Sequence, residues 1–262
     1  MRTKHLVAIL VLLALAVPAS PVHAGGIVSV CNEAHLKAAL AGGGTVTFSC
    51  SGTIILTAEI AIVADTTIDG SGQSVAVSGN HAVRVFNVNS GVTLNLNALT
   101  VADGSANGST GGGIYNDGGT VTVSNSTVSD NRNGIVNDGS GTVTLENTIV
   151  ANSSPRRNCV GAITDGGGNL SYPDTTCPGI NRDPLLGPLQ NNGGPTETMA
   201  LGRGSAALDA ASDAICDAAP VNNLDQRGVA RPLGLHCDIG AVEQDPYLPL
   251  PPRMWLPTVR SQ

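Results

Sequence analysis

A block of about 22 residues occurs twice in the middle of the chain with its turn and strand residues preserved. The turn Gly-Ile-Tyr-Asn-Asp-Gly at 113–118 returns as Gly-Ile-Val-Asn-Asp-Gly at 134–139. Each turn is followed by a stretch in which Thr alternates with Val or Leu, at 120–128 and again at 142–150. A short interval that repeats together with its turns is typical of a solenoid, in which each coil stacks on the next.

The alternation within each copy places apolar side chains on one face of a strand and hydroxyl side chains on the other. One coil cannot bury its apolar edge alone, so stacked coils must supply the core, with neighbouring strands ~4.8 Å apart. We therefore predict an all-β parallel β-helix in which Asn116 stacks over Asn137 and Asn125 over Asn147. A leucine-rich repeat shares this period but requires leucines at fixed positions, and a β-sandwich does not explain the copied turns.

The repeats are predicted to extend from Gly44 to Ser171, which corresponds to about six coils. The earlier strand candidates are Thr53–Leu56, Ile60–Val63, Thr66–Ile68, Val75–Val77, Val83–Phe86 and residues 92–97. Ahead of them, residues 32–42 have the pattern of a short helix, with Asn32 as its N-cap and Gly42 as its stop. Because the end of a solenoid exposes unpaired strand edges, we assign this helix the role of an N-terminal cap.

Composition agrees with short strands joined by many turns, since the chain has 33 Gly and 21 Asn with 2% aromatic and 13% charged residues. These values exclude a coiled coil and a charged disordered chain. At the N-terminus, Arg2 and Lys4 precede an apolar run at 6–17 and a small-residue cleavage pattern that ends at Ala24. This arrangement predicts a secretory signal peptide, because a membrane span needs about 20 apolar residues.

The predicted organisation is a signal peptide at 1–24, a β-helix domain at 25–244 and a proline-rich tail at 245–262. Within the domain we assign 25–44 to the N-terminal cap, 45–171 to the coils and 172–244 to an irregular C-terminal segment. Without the signal the chain carries 11 basic and 20 acidic residues, a net charge of −9, which argues against nucleic acid as a partner. We expect a secreted or cell-surface monomer whose mature chain has no membrane span.

Six cysteines follow the signal and predict disulfides in an exported chain, although six cysteines allow 15 pairings. They form three close couples, Cys31 with Cys50, Cys159 with Cys177 and Cys216 with Cys237, separated by 19, 18 and 21 residues. We predict that each couple is bridged, which makes the C-terminal segment disulfide-linked and is worth ~3 kcal/mol for each closure. A zinc site is the alternative, but no Cys-x-x-Cys occurs and the histidines are scattered.

Several motifs together are characteristic of one family. They are the glycine-rich opening at 40–50, Ile-Asp-Gly-Ser-Gly at 68–72, the Gly-Ile-x-Asn-Asp-Gly turns and the long tail from Asp183 to Glu243. This combination resembles the right-handed parallel β-helices of the pectin-lyase-like superfamily, and more closely the secreted bacterial proteins with a choice-of-anchor Q domain. The resemblance implies a right-handed coil, export and a surface location, and it supplies no catalytic residues. Residues 245–262 lack the features of a sortase signal, so covalent anchoring is not expected.

The repeated turns carry the candidate catalytic groups. Asp117 and Asp138 occupy equivalent positions in successive coils, so their backbones should lie near 5 Å apart. Asp130 and Arg132 are close in sequence to the second turn, and convergence of all four would suit a polysaccharide lyase or hydrolase, because sugar hydrolysis uses paired carboxylates. Asp117 and Asp138 are alternatively suited to a calcium ion, which prefers oxygen ligands. Asn-Asp-Gly is also ordinary turn chemistry, and we favour that interpretation.

Tyr115, Asn116 and Asn137 are candidate ligand-binding residues, because they offer an aromatic ring and amides on stacked turns. The densest charged set surrounds Arg227, which we expect to pair with Asp238 or Glu243 in the polar closure of a C-terminal cap. We expect a non-catalytic adhesin or carbohydrate-binding protein that contacts extracellular polysaccharide or a surface protein and needs no cofactor. A polysaccharide lyase or glycoside hydrolase and a structural envelope component are the alternatives.

Overall fold

The computed structural model describes residues 25–106, 111–153, 157–193 and 197–245. These residues form a parallel β-solenoid of about six coils, which confirms the predicted fold class. The predicted signal peptide and all but the first residue of the predicted tail lie outside the described residues. Within the described ranges, no helix is both long and apolar enough to cross a membrane.

The described chain contains twenty strands and two helices, most of them short. In chain order they are β1 (Gly26–Val28), α1 (Glu33–Leu40), β2 (Gly44–Phe48), β3 (Gly52–Ile55), β4 (Ile60–Ile62), β5 (Thr66–Asp69), β6 (Val75–Ser78), β7 (Phe86–Val88), β8 (Thr93–Asn97), β9 (Thr100–Ala102), β10 (Ile114–Asp117), β11 (Thr120–Ser124), β12 (Thr127–Ser129), β13 (Ile135–Asp138), β14 (Thr142–Glu146), β15 (Ile149–Ala151), β16 (Cys159–Val160), β17 (Thr164–Asp165), β18 (Leu170–Tyr172), β19 (Leu186–Asn191), β20 (Glu197–Leu201) and α2 (Asp213–Asp217).

Three parallel sheets form the walls of the solenoid. Sheet A has the order β1-β2-β5-β8-β11-β14-β17, sheet B the order β18-β15-β12-β9-β6-β3, and sheet C the order β16-β13-β10-β7-β4. The pairing register places Ile114 beside Ile135 and Val121 beside Val143. The structural repeat therefore coincides with the sequence repeat.

The alternation of sheet A strands fills the core from one side. In β11, Val121 and Val123 are buried, whereas Thr120 is exposed and Thr122 is half-buried. Inward-facing Val, Ile and Leu side chains of the three sheets make one continuous core that also includes the fully buried Phe86. The interior needs few aromatic residues, because branched aliphatic side chains from three nearby walls already fill it.

Asparagines stack at two corners of the solenoid, as predicted. Asn116 Nδ2 donates to Asn137 Oδ1 at 2.9 Å, and Asn116 also exchanges two hydrogen bonds with the backbone of Gly119. At the second corner, Asn147 Nδ2 donates to Asn125 Oδ1 at 3.3 Å, and both residues have positive φ, 44° and 47°. At both corners the asparagine amide satisfies turn backbone groups. At the second corner asparagine is also suited because it tolerates the left-handed conformation.

Replacing Asn147 by alanine should destabilise the fold strongly. The side chain is fully buried, accepts from Ser212 N at 2.8 Å and donates to Ser212 O at 3.0 Å, so Asn147→Ala leaves several polar groups unsatisfied. We expect the free energy of unfolding to fall by about 2–4 kcal/mol in urea titrations. The matched control is Asn152→Ala, which changes an exposed asparagine with φ of 57° and should cost only the backbone preference, about 1 kcal/mol. Equal losses for the two variants would contradict a stabilising role for the amide.

The longest interval between copies is taken up by an insertion whose two ends meet. Arg132 N donates to Gly104 O at 2.7 Å, and Gly112 N donates to Arg132 O at 2.9 Å. A Cβ on Gly104 would lie 2.1 Å from Gly112 O, so only glycine permits this approach of two backbones. The insertion thus leaves and rejoins the coil at one place, and stacking continues on either side of it.

Helix α1 caps the N-terminal end, as predicted. Leu36 is fully buried in the core, and Asn32 Oδ1 accepts from His35 N at 2.9 Å as an N-cap. Glu33 links the helix to the next coil through its hydrogen bonds with Thr57. Hydrogen bonds from Lys37 and Thr57 lower the pKa of Glu33 to about 2. Strand β1, which precedes the helix and pairs with β2, was not predicted because its three residues carry no copied turn.

The C-terminal segment lies along sheet B instead of closing the end of the solenoid. We call residues 186–193 and 197–245 the strap. Its contacts reach the whole length of the sheet, from Thr53 Oγ1, which donates to Glu197 Oε2 at 3.1 Å, to Leu170, which packs in one cluster with Ile239. The four inner strands of sheet B are therefore covered on both faces, since β6, β9, β12 and β15 contain no exposed residue. The predicted C-terminal cap is thus a lateral cover.

Two of the three predicted disulfides are present, Cys31–Cys50 in the N-terminal coil and Cys159–Cys177 at the last coil. The predicted third bridge is wrong in this structure, because Cys216 and Cys237 are free, buried thiols. The Cys237 thiol is hydrogen-bonded to Cys216, which lowers the pKa of Cys216 and raises the pKa of Cys237. Cys216 Sγ also accepts from Asn147 Nδ2 at 3.4 Å. Hydrogen bonds and packing therefore hold this couple together without a covalent link.

Thiol labelling should distinguish the two kinds of cysteine. In the native protein we expect almost no alkylation, because both free thiols are buried. After denaturation without reductant, mass spectrometry should find label on Cys216 and Cys237 alone. Labelling of neither residue after denaturation would instead show that they are bridged.

Candidate functional site

Asp117 and Asp138 end strands β10 and β13 at the corner between sheets C and A. They are paired in register on successive coils, and both are exposed. Asp138 Oδ2 accepts from the Tyr115 hydroxyl at 2.8 Å, and Asp138 Oδ1 accepts from Gly139 N at 2.8 Å. The two aspartates are therefore adjacent, as the repeat predicts, and Asp138 already accepts a hydrogen bond from the backbone of its own turn.

Asp130 and Arg132 lie at a different corner, between sheets B and C. Asp130 follows β12, and strand β13 runs from this corner to the other one, where Asp138 ends it. Burial raises the pKa of Asp130, which accepts from Ser129 Oγ at 2.9 Å. The four catalytic candidates thus form two groups at opposite ends of one strand. The four groups therefore do not converge on a single sugar, because the strand between the corners is extended.

Tyr115 lies on the outer face of sheet C with its ring and hydroxyl both engaged. The Arg84 guanidinium carbon lies 4.4 Å from the ring centroid, a cation–π contact. The hydrogen bond to Asp138 and burial raise the pKa of the Tyr115 hydroxyl. Gly111 lies against the side chain of Tyr115, since a Cβ on that glycine would be 3.0 Å from the Tyr115 Cβ. The ring is therefore already partly covered by the protein and offers little free area for stacking on a sugar.

Asn116 and Asn137 are the other ligand-binding candidates, and their amides serve the corner instead. Asn116 is fully buried in the ladder described above. Asn137 Nδ2 donates to Gly141 O at 2.9 Å and to Ala162 O at 2.8 Å. Both amides satisfy turn carbonyl groups, so we assign neither of them to ligand binding.

A calcium site at Asp117 and Asp138 would rest on two carboxylates. Among the described residues, no group of three or more His, Cys, Asp or Glu side chains is placed to hold a metal ion. Calcium takes six to eight oxygen ligands, so the corner would need most of them from backbone or water. We assign no metal to it.

Sheet A presents a regular polar surface that the catalytic candidates do not include. We call its central outward row the threonine array; the pairing register places its members one per coil: Thr45, Thr67, Asn95, Thr122, Thr144 and Thr164. All six are exposed or half-buried. With strands ~4.8 Å apart, the array extends for about 24 Å along the solenoid axis. A side row of Thr93, Thr120 and Thr142 runs parallel to it.

Four of the five hydroxyl groups of the array are free to bind a ligand. The one side-chain hydrogen bond within the array joins Asn95 Nδ2 to Thr67 Oγ1 at 3.3 Å. The hydroxyls of Thr45, Thr122, Thr144 and Thr164 make no hydrogen bond to any other described residue. A hydroxyl is both a donor and an acceptor, so each rung can form hydrogen bonds in either sense.

The strands of sheet A carry no basic residue, and their few acidic residues lie off the central row. These are Asp69 and Glu146 on the neighbouring outward row, and Asp165 at the last strand. The array itself is uncharged. The sequence signal for it was the alternation of Thr with Val, which predicts an outward hydroxyl face but does not show that this face stays uncovered.

The strap contains buried charged residues whose ion pairs differ from those predicted from the sequence. Arg227 binds Asp225 at 2.8 Å and the backbone of Glu243, while Arg231 lies 3.9 Å from the Glu243 carboxylate. The expected pairing of Arg227 with the side chain of Asp238 or Glu243 is therefore wrong. Burial, with a contribution from Glu243, raises the pKa of Asp238 to about 7, and burial likewise raises the pKa of Glu243.

Stability should fall as the pH rises from about 4 to about 7. A carboxyl group with a raised pKa binds its proton more tightly in the folded state, so ionisation across this window favours unfolding. Each unit by which the folded and unfolded pKa values of Asp238 differ is worth about 1.4 kcal/mol. We expect urea titrations to show this decline, and Asp238→Asn to reduce it, with Glu243 and Asp130 contributing to the remainder. Asp117→Asn, which removes an exposed carboxylate outside the strap, is the control. If Asp238→Asn showed the same dependence of stability on pH as the unmodified protein, Asp238 would not be a cause of the decline.

Comparisons with known proteins identify no relative: no family model, no curated protein and no solved structure matches this chain.

Proposed function

We propose that this protein is an exported, non-catalytic binding protein that attaches to extracellular polysaccharide through the threonine array. The observation that carries the proposal is the row of outward polar side chains, one per coil, of which four carry a hydroxyl that bonds no other described residue. Polysaccharides are repeating polymers of hydroxyl groups, so a repeating row of donors and acceptors suits them. A solenoid also offers the extended surface that a polymer requires.

Export is part of the proposal and rests on three independent features. The N-terminal sequence has the organisation of a signal peptide. Two disulfides are typical of an oxidising compartment. The resemblance to proteins with a choice-of-anchor Q domain, in the pectin-lyase-like superfamily, also implies a location at the bacterial surface.

The separation of the catalytic candidates favours binding over catalysis. Asp130 and Arg132 lie at the other end of β13 from Asp138. Of the four candidates, Asp117 and Asp138 are the two carboxylates that lie together, and both stand on an exposed corner. Acid–base catalysis generally relies on an environment that drives two pKa values apart, and an exposed turn favours this less than a cleft does.

The direct test is incubation of the mature protein, disulfides intact, with neutral and acidic polysaccharides, with and without calcium. We expect retention on at least one polymer without release of reducing or unsaturated ends. Release of products would show an enzyme and contradict the proposal. An experiment that finds no retention and no products would also contradict the proposal. That outcome would favour a structural envelope component or a protein partner.

Removing hydroxyl groups from the array should weaken retention. The double variant Thr122→Val with Thr144→Val loses two hydrogen-bonding rungs at half-buried positions, so we expect about tenfold weaker binding or more. Thr175→Val removes an exposed hydroxyl outside sheet A and is the matched control. Unfolding midpoints of all variants would establish that folding is retained. Unchanged binding by the double variant would place the site elsewhere.

A lyase or hydrolase is the second candidate, favoured by the in-register pair Asp117 and Asp138. Should any turnover be found, Asp117→Asn and Asp138→Asn decide whether this pair is responsible. Loss of turnover by orders of magnitude in both variants would support the enzyme, and unchanged turnover would exclude the pair.

A further inference from the structure

We propose that the threonine array binds one neutral, unbranched polysaccharide chain that lies along the solenoid axis, with one sugar ring against each coil. This inference rests on the proposed function and adds the direction, the length and the charge of the ligand. Each of the three follows from a separate property of sheet A.

The direction follows from the register. The array repeats by translation along the axis, one rung per strand and ~4.8 Å apart. A sugar ring in an extended chain advances by a length close to this spacing, so successive rings meet equivalent groups. Across the strands the surface is narrow and irregular, since the array is flanked by a shorter side row and by acidic residues. Only the axial direction offers a polymer the same contact repeatedly.

The length follows from the two ends of the array. Thr45 lies in the second strand of sheet A and Thr164 in the last. The ~24 Å between these rungs accommodates about six rings. Affinity should therefore rise with oligosaccharide length up to about six rings and then level off, because further rings extend beyond the array.

The charge follows from what surrounds the array. Sheet A has no Lys, Arg or His in its strands, and Asp69, Glu146 and Asp165 flank the uncharged row. A polyanionic chain laid along the axis would meet these carboxylates without a compensating cation. The lack of a free aromatic ring on this wall makes hydrogen bonds the main contact, so binding to a neutral chain should depend little on salt.

The test measures affinity by isothermal titration calorimetry for gluco-, xylo- and N-acetylglucosamine oligosaccharides of about two to about eight rings, a range that brackets the array. Oligogalacturonates of the same lengths are the acidic comparison. We expect at least one neutral series to gain affinity up to about six rings, and the acidic series to bind more weakly at every length.

Two terminal variants test the direction. Thr45→Val and Thr164→Val remove rungs at opposite ends, so each should weaken a chain of about six rings by about fivefold, the value of one hydrogen bond. Both should leave a two-ring oligosaccharide nearly unaffected, because it can bind at the remaining rungs. Thr175→Val is again the control and should change neither.

The outcomes separate this inference from the proposed function. If two rings bind as tightly as six, or if only one terminal variant weakens binding, the site is local and the axial arrangement is overturned while carbohydrate binding stands. Tighter binding of the acidic series overturns the charge assignment alone. If no oligosaccharide and no polysaccharide binds, the proposed function itself fails.

Discussion

The structure depends on the hydrogen bonding of each strand to the equivalent strand of the next coil. Parallel pairing aligns equivalent residues of successive coils in register. A side chain of one coil therefore lies beside a side chain of the same type in the next coil. Branched aliphatic residues therefore stack into a core, asparagines stack into corner ladders, and threonines stack into a surface row. The core, the corner ladders and the candidate binding surface all result from the same repeat of one coil on the next along the solenoid axis.

The same pairing creates two difficulties that the chain must resolve. The first is the exposed end, which α1 covers by inserting Leu36 into the first coil and by anchoring Glu33 to Thr57. The second is an outer wall that is too apolar to face water, since sheet B contributes Ile149 and Leu170 to its outer face. The strap covers this wall and satisfies its polar groups, for example through Gln226, which bonds both Thr100 and Val75. By covering sheet B, the strap leaves sheets A and C as the accessible walls.

Much of the fold follows from local pattern. Copied turns predict which residues stack, and the pairing of Asn116 with Asn137 and of Asn125 with Asn147 occurs as expected. The capping helix was predictable because Asn32 and Gly42 are strong local signals. The third disulfide was not predicted correctly, because spacing along the chain does not say whether two sulfur atoms bond or only touch. The pairing of Arg227 with Asp225 was missed for a similar reason: several carboxylates were near in sequence, and burial decided among them.

Some features of the candidate site could likewise be predicted from the sequence, and others could not. By itself the sequence determined the parallel β-solenoid, the period, the outward hydroxyl face and the adjacency of Asp117 and Asp138, because each depends on residues one coil apart. Only the tertiary structure decided that Asp130 and Arg132 lie away from that pair, that Tyr115 is covered by Arg84, and that the strap lies over sheet B and not over sheet A. These features depend on contacts between residues that no repeat relates, such as Thr53 with Glu197, whose separation is 144 residues. A periodic pattern specifies neighbours within its period, and longer-range contacts are selected by the packing of the whole chain.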